Sequence, residues 1–227
     1  MSEKFTIAIA PDQKVTAIAY PAAKRDRAGI TLILGHGAGA GQSSTFMVDI
    51  ATGLAARGID TVTFNFLYTE QGRRLPDPKV KLEACYRAVI ETVARRNNGR
   101  GPLAIGGKSM GGRIASQVAA GDALDVTGLV FLGYPLHPPG KPDQLRDKHL
   151  SDIKAPMLFM QGARDAFGTP EELRPIIKKL KVPVALYTVA GGDHSFKVLK
   201  REGLSQADTY KAALDRIDQW LRATLTP

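Results

Sequence analysis

The segment Pro102-Leu103-Ala104-Ile105-Gly106-Gly107-Lys108-Ser109-Met110-Gly111-Gly112 restricts this chain more than any other. Its apolar opening predicts a buried strand, and Arg113–Ala120 behind it predicts a helix. Between them lies Gly-x-Ser-x-Gly, at Gly107, Ser109 and Gly111. A chain that passes sharply from strand to helix lifts the hydroxyl at the turn clear of the backbone. Side chains two positions either side of the serine would collide there, and glycine removes the collision. A lone serine has no chemistry without a base, an acid and an oxyanion site, so the rest of the chain has to supply them.

The chain has 227 residues, 44% of them hydrophobic and 23% charged, which suits a single globular domain over 1–227 with a large core. No apolar run reaches the roughly 18–20 residues needed to span a bilayer, and Met1-Ser2-Glu3-Lys4-Phe5 lacks a signal-peptide core. The one cysteine, Cys85, forms no internal disulfide and is expected in the core. Together these predict a cytoplasmic protein that needs neither a membrane nor an oxidising compartment. The formal net charge is +9, but Lys and Arg are scattered among Asp and Glu, and the longest cluster is Lys178-Lys179-Leu180-Lys181. Without a basic stripe interleaved with aromatics, the charge predicts a solvated surface rather than a nucleic-acid partner. No residue pattern calls for a cofactor or a metal, and none sets the oligomeric state.

Strand and helix patterns alternate along the chain. Lys4–Ala10 and Lys14–Tyr20 flank Pro11-Asp12-Gln13 and predict an antiparallel hairpin. Buried strands are predicted at Ile30–Leu34, Ile59–Phe66, Val126–Leu132, Pro156–Met160 and Val182–Val189. Helices are predicted at Ser44–Ala56, Lys79–Arg96 and Ser205–Leu225. A further helix starts at Thr169, with Pro170 in the first position and Glu172 closing a capping box. The alternation predicts an α/β fold: a mostly parallel twisted sheet covered by helices on both faces, with sites at the carboxyl ends of the strands.

Two rival readings of the glycines fail on sequence. Gly107-Lys108-Ser109 ends like a phosphate-binding loop, but that pattern needs glycine at 102, where this chain has Pro102. Gly35-His36-Gly37-Ala38-Gly39-Ala40-Gly41 resembles a dinucleotide fingerprint, but the next strand ends Asn65-Phe66-Leu67, without the acid that would hold a ribose. The same loop suits an oxyanion hole, where small residues let a carbonyl oxygen approach the backbone and fixed N–H groups stabilise its developing charge. The N–H groups of Met110 and Ala38 are the expected donors, with Gly39 as the alternative to Ala38. His36, Gly37 and Gly39 are expected to support the loop.

Of the histidines, His194 lies in Gly191-Gly192-Asp193-His194-Ser195-Phe196, just after a strand and well before the last helix, and is the expected base. His137, among prolines, and His149, in a charged segment, are expected on the surface. Asp165 follows the strand before that of His194, so it is the expected acid. Asp193 adjoins His194 and points away in an extended segment. The order Ser109, Asp165, His194 then matches a Ser-Asp-His chain order.

On these four markers the chain resembles the α/β-hydrolases, in their small, capless dienelactone-hydrolase-like branch: His36–Gly39, Gly107–Arg113, Gly162-Ala163-Arg164-Asp165 and Gly192-Asp193-His194. The Gly-Lys-Ser-Met-Gly-Gly-Arg string is similar to the hydrolase-like domain of a non-specific-lethal chromatin complex subunit. The resemblance implies a carboxylesterase-like serine hydrolase acting on small esters or thioesters. It also leaves open a non-catalytic scaffold as the alternative. Dienelactone hydrolases proper use a cysteine nucleophile, and Ser109 departs from that. Only about 20 residues separate Tyr134 from the next strand, so any lid is minimal. Lys108, Arg113 and Arg164 adjoin the expected site and are candidates to favour an anionic substrate, with surface or structural ion pairs as their plainer role.

Overall fold

A computed structural model of the chain describes residues 2–22, 26–121, 124–199, 203 and 205–226. The N-terminal pattern forms β1 (Glu3–Ala10) and β2 (Gln13–Tyr20), paired antiparallel across Pro11-Asp12. The buried runs form β3 (Thr31–Gly35), β4 (Asp60–Phe64), β5 (Leu103–Lys108), β6 (Gly128–Leu132), β7 (Met157–Gly162) and β8 (Val184–Val189). They make one eight-stranded sheet in the order β1-β2-β4-β3-β5-β6-β7-β8. β2 pairs antiparallel with β4, and every later pairing is parallel.

Alternation along the inner strands decides which helices cover which face. Ile33, Ile105, Leu129, Phe131, Met157 and Phe159 point to one side. There they meet α3 (Lys79–Arg96) through Leu82, Tyr86 and Val89, and α4 (Met110–Gly121) through Ile114 and Val118. Leu32, Leu34, Ala104, Val130, Leu132, Leu158 and Met160 point to the other. There they meet α1 (Thr45–Ala56) through Ile50 and Leu54, and α6 (Gln206–Leu225) through Ile217 and Leu221. Residues i and i+2 of a strand share a face, so a continuous apolar run feeds two cores at once. Cys85 lies in the first core, and its thiol is pushed up to about 12 by burial.

The chain winds outward from β3, first to β4 and then to β5 on the opposite side. The carboxyl ends of β3 and β5 therefore flank the point where the winding reverses, which is where open α/β sheets place their ligands. Gly35 at the end of β3 is level with Gly107 in β5.

Two local features depart from the sequence expectation. β4 stops at Phe64, short of Phe66, and a single turn, α2 (Leu67–Glu70), follows. The Asn65 N–H still donates to Thr16 O of β2 at 3.0 Å, and Phe66 leaves the sheet because its N–H is held elsewhere. The Asn65 side chain accepts the Gln42 N–H at 3.0 Å, and the Phe66 N–H donates to His36 Nε2 at 3.2 Å. The β6–β7 connection also contains a 3-10 turn at Lys148–Asp152. The helix start at Thr169 is as expected. In α5 (Pro170–Ile177) the Thr169 hydroxyl accepts the Glu172 N–H, and the Glu172 carboxylate accepts the Thr169 N–H at 2.7 Å.

Candidate active site

β5 delivers the chain to Ser109 at the sheet's carboxyl edge, and α4 begins at the next residue. Ser109 sits at φ 50°, in the left-handed region. For a residue with a Cβ that costs of order 1–3 kcal/mol, so the surroundings must hold it there. The Ser109 N–H donates to Leu132 O at 3.1 Å and its carbonyl accepts from the Arg113 N–H at 3.0 Å. The flanking glycines are required by close approach. A Cβ at Gly107 would stand 2.2 Å from Gly35 O, and one at Gly111 would stand 2.1 Å from the same oxygen. The β3 and β5 backbones, together with the first turn of α4, meet around that one carbonyl.

The structure brings His194 and Asp165 to this serine. His194 Nε2 lies 2.8 Å from Ser109 Oγ, and His194 Nδ1 lies 2.7 Å from Asp165 Oδ2. Asp165 is 1% exposed. Its carboxylate also accepts the Gln161 amide at 2.8 Å and the Phe167 N–H at 2.8 Å. The Phe167 ring stacks on the His194 imidazole, 4.2 Å between centroids. With Nδ1–H donated to a buried carboxylate, the imidazole presents the Nε2 lone pair to the serine hydroxyl. This is the geometry a general base needs.

The His194 loop is fixed from several directions. Asp193 does not compete for the imidazole. Its carboxylate accepts the N–H groups of Ser195 at 2.7 Å and Lys197 at 3.0 Å. Arg164 donates to Gly191 O and Lys197 O, which makes it a brace of the loop. The Lys108 ammonium, inside the serine motif and only 8% exposed, donates to His194 O. Burial lowers its pKa to about 8, against the pull of Asp165 and Asp193, which favour the charged form.

Ala38, Met110 and Ser109 line one pocket of about 420 Å³. Met110 opens α4, so its N–H lacks an intrahelical acceptor. His36 lies beneath this loop, fully buried. Its Nδ1 donates to Gly37 O at 2.8 Å, while Nε2 accepts from the Phe66 N–H and has the Thr69 hydroxyl at 3.2 Å. Burial lowers its pKa to about 4. It is a neutral strut between the β3 and β4 ends, with no free nitrogen facing Ser109.

Of the other two histidines expected on the surface, His137 is buried and His149 is half-buried. His137 Nε2 lies 3.2 Å from Glu172 Oε1. His149 Nε2 is 2.7 Å from Ser116 Oγ, which ties the β6–β7 connection to α4. Burial and the nearby Arg113 and Lys79 charges lower its pKa to about 4. Prolines and charged neighbours predict exposure, but that connection folds back so that His137 is covered at the start of α5 and His149 is half-buried against α4.

Sequence reasoning missed Gln161, Phe167 and Arg146. Gln161 is fully buried. Its amide oxygen accepts the Tyr134 N–H at 2.8 Å, and its nitrogen serves Asp165 and Gly168 O. A polar residue closing the apolar run Met157–Met160 was the available signal. Phe167 and Arg146 lie on loops with no local signature. Among the described residues no group of three His, Cys, Asp or Glu stands together as a metal site, and no helix is long and apolar enough to cross a membrane.

A family model described as an alpha/beta hydrolase domain matches residues 28–222. Among solved structures, the chain is similar to a lidless α/β serine hydrolase from Xanthomonas campestris. The two share 21% identity over all of this chain and 96% of the other, with a TM-score of 0.77. It is similar to an α/β serine hydrolase homologue from Coxiella burnetii, at 19% identity, 99% and 97% coverage and a TM-score of 0.71. It is similar also to a dienelactone hydrolase from Anabaena variabilis, at 18% identity, 99% and 98% coverage and a TM-score of 0.77. At these identities the likeness is one of fold.

Proposed function

We propose, starting from the fact that the chain belongs to the alpha/beta hydrolase domain family, that it cleaves small carboxylic esters or thioesters through an acyl-enzyme on Ser109. The observation that carries this reading is the relay from Asp165 to His194 to Ser109, at 2.7 and 2.8 Å, opening on the pocket beside Ala38 and Met110. Ser109 Oγ attacks the carbonyl carbon while His194 Nε2 takes the hydroxyl proton. The N–H groups of Ala38 and Met110 hold the oxyanion, a contribution of about 3–4 kcal/mol per donor in related chemistry. Collapse of the tetrahedral intermediate expels the alcohol or thiol, which takes the proton from His194. Water then attacks the acyl-enzyme with His194 as base, and the acid product leaves.

A fluorophosphonate probe tests this directly. The wild-type protein is expected to label at one site and to hydrolyse p-nitrophenyl acetate, and Ser109→Ala to do neither while keeping its melting temperature within a few degrees. A folded wild-type protein that fails to label overturns the reading.

The finer resemblance to the hydrolase-like domain of a chromatin complex subunit supports a second reading, a non-catalytic interaction protein. Leu75 and Val80, 81% and 75% exposed, adjoin the pocket-lining residues Pro76 and Lys79 and favour an apolar contact surface there. Ester turnover lost in Ser109→Ala separates the two readings, because a scaffold has no use for the hydroxyl.

A further inference from the structure

The pocket at Ser109 carries more positive charge than its structural bonds use. Besides Ser109 and Met110 it is lined by Lys79, Arg113, Arg146 and one carboxylate, Asp77. Asp77 is already engaged by Arg73, at 2.7 Å. The Lys79 ammonium has Glu83 at 3.4 Å, one turn along α3. Among the described residues, neither arginine has a carboxylate partner. Among the described residues, the Arg113 guanidinium makes no hydrogen bond or ion pair, and its Nε is buried with nothing to receive its proton. The Arg146 guanidinium has one contact, to Pro135 O, at a long 3.5 Å. A buried N–H left unpaired costs about 1–3 kcal/mol, and two guanidinium groups facing one pocket repel each other. Their effect on the neighbours is visible: Arg113 helps to lower both Arg146 and His149.

Arg113 follows Ser109 by one turn of α4, and its N–H bonds the Ser109 carbonyl. Four residues along a helix rise about 6 Å. Arg146 enters the same pocket from the β6–β7 connection, held there by its own N–H on Leu136 O and by the Tyr134 hydroxyl on its carbonyl. The other cations near the serine are already committed. Lys108 donates to His194 O, and Arg164 donates to Gly191 O and Lys197 O.

We propose that Arg113 and Arg146 form an anion-binding subsite beside Ser109, so that the ester cleaved there carries a short acyl chain ending in a carboxylate or phosphate. The guanidinium fork matches either anion through paired N–H groups. The proposal rests on the serine-hydrolase reading for its substrate, but the subsite itself is testable without catalysis.

Two experiments test it separately. In the first, kcat/KM for mono-p-nitrophenyl glutarate is compared with that for neutral p-nitrophenyl valerate at low salt. The wild-type protein is expected to favour the anionic ester at least tenfold. That ratio should fall below about twofold in Arg113→Met, fall likewise in Arg146→Met, and shrink in the wild type as salt screens the pocket. In the second, glutarate and inorganic phosphate are titrated separately onto the Ser109→Ala protein and followed by NMR shifts of α4 amides. Saturable binding of either anion, abolished by either arginine substitution, supports the subsite and tells which anion it takes. Equal turnover of the two esters with no binding of either anion overturns the subsite and leaves the hydrolase reading standing. Binding that depends on the arginines, in a protein that turns over neither ester, does the reverse. A selectivity that survives in both arginine variants also overturns the subsite.

Discussion

At the residue scale, Lys108 shows how one side chain can serve two structures. As the last residue of β5 it stands beside the serine, and its ammonium reaches across to the carbonyl of His194. It joins the Ser109 strand to the His194 loop without touching the Ser109 hydroxyl, so under the proposed function it is a positioning residue. Methionine fills similar space but offers no donor. Lys108→Met is expected to lower kcat for p-nitrophenyl acetate about tenfold, in line with the roughly 1–3 kcal/mol lost when a buried acceptor goes unpaired, with little change in KM. The pH profile distinguishes positioning from bulk packing. Burial lowers Lys108 to about 8, so the ammonium is present below that pH and lost above it. Wild-type kcat should therefore decline above about pH 8, and the decline should be missing in Lys108→Met. An unchanged profile in the variant would remove Lys108 from the machinery.

At the element scale, the short α5 matters for what precedes it. Its capping box fixes Thr169 directly after the loop that carries Asp165 and Phe167, and Gln161 ties the same loop down by donating to Gly168 O at 2.6 Å. His137 adds a contact to the Glu172 carboxylate of that cap. Thr169→Ala removes the hydroxyl acceptor and is expected to cost about 1 kcal/mol, read as a fall in melting temperature. If the cap also orients the Asp165 loop, kcat drops with it. If kcat is unchanged after the melting point has fallen, the cap stabilises α5 and nothing else. The departures from expectation also belong to this scale. The end of β4 is decided by partners that lie far away in the chain, Thr16 for the Asn65 N–H and His36 for the Phe66 N–H. A periodicity count has no access to them.

At the scale of the whole molecule, the buried histidines set a limit on acid tolerance. His36 is lowered to about 4 in the folded protein against an ordinary 6.5. The unfolded chain takes up that proton between these values while the folded chain does not. The stability associated with a neutral His36 is therefore full above about pH 6.5 and is lost as the pH falls toward 4. Linkage sets the loss at roughly 3 kcal/mol. His149, lowered to about 4, acts in the same direction. Thermal melts from pH 7 to pH 4.5 should show a steep fall, and His149→Gln, which keeps a polar group toward Ser116, should make it shallower. A melting temperature flat over that range would contradict a neutral, buried His36 and a partly desolvated His149.

The sequence alone determined whatever depends on neighbours within a few residues. It set the strand–serine–helix turn, because glycine spacing and left-handed backbone are local demands. It set the hairpin, the apolar strands that feed two cores, the Thr169 cap, and the order in which Ser109, Asp165 and His194 arrive at one sheet edge. The tertiary structure decided whatever depends on segments that meet only after folding. It buried His137, half-covered His149, turned Arg164 into a brace, gave Lys108 its carbonyl and gave Asp165 its glutamine. It also set Arg146 beside Arg113 in the pocket of Ser109. Sterics and hydrophobic periodicity act over a few bonds and leave a mark in the order of residues. Charge, burial and hydrogen-bond satisfaction are settled by what stands across the gap, and that is known only once the sheet has closed.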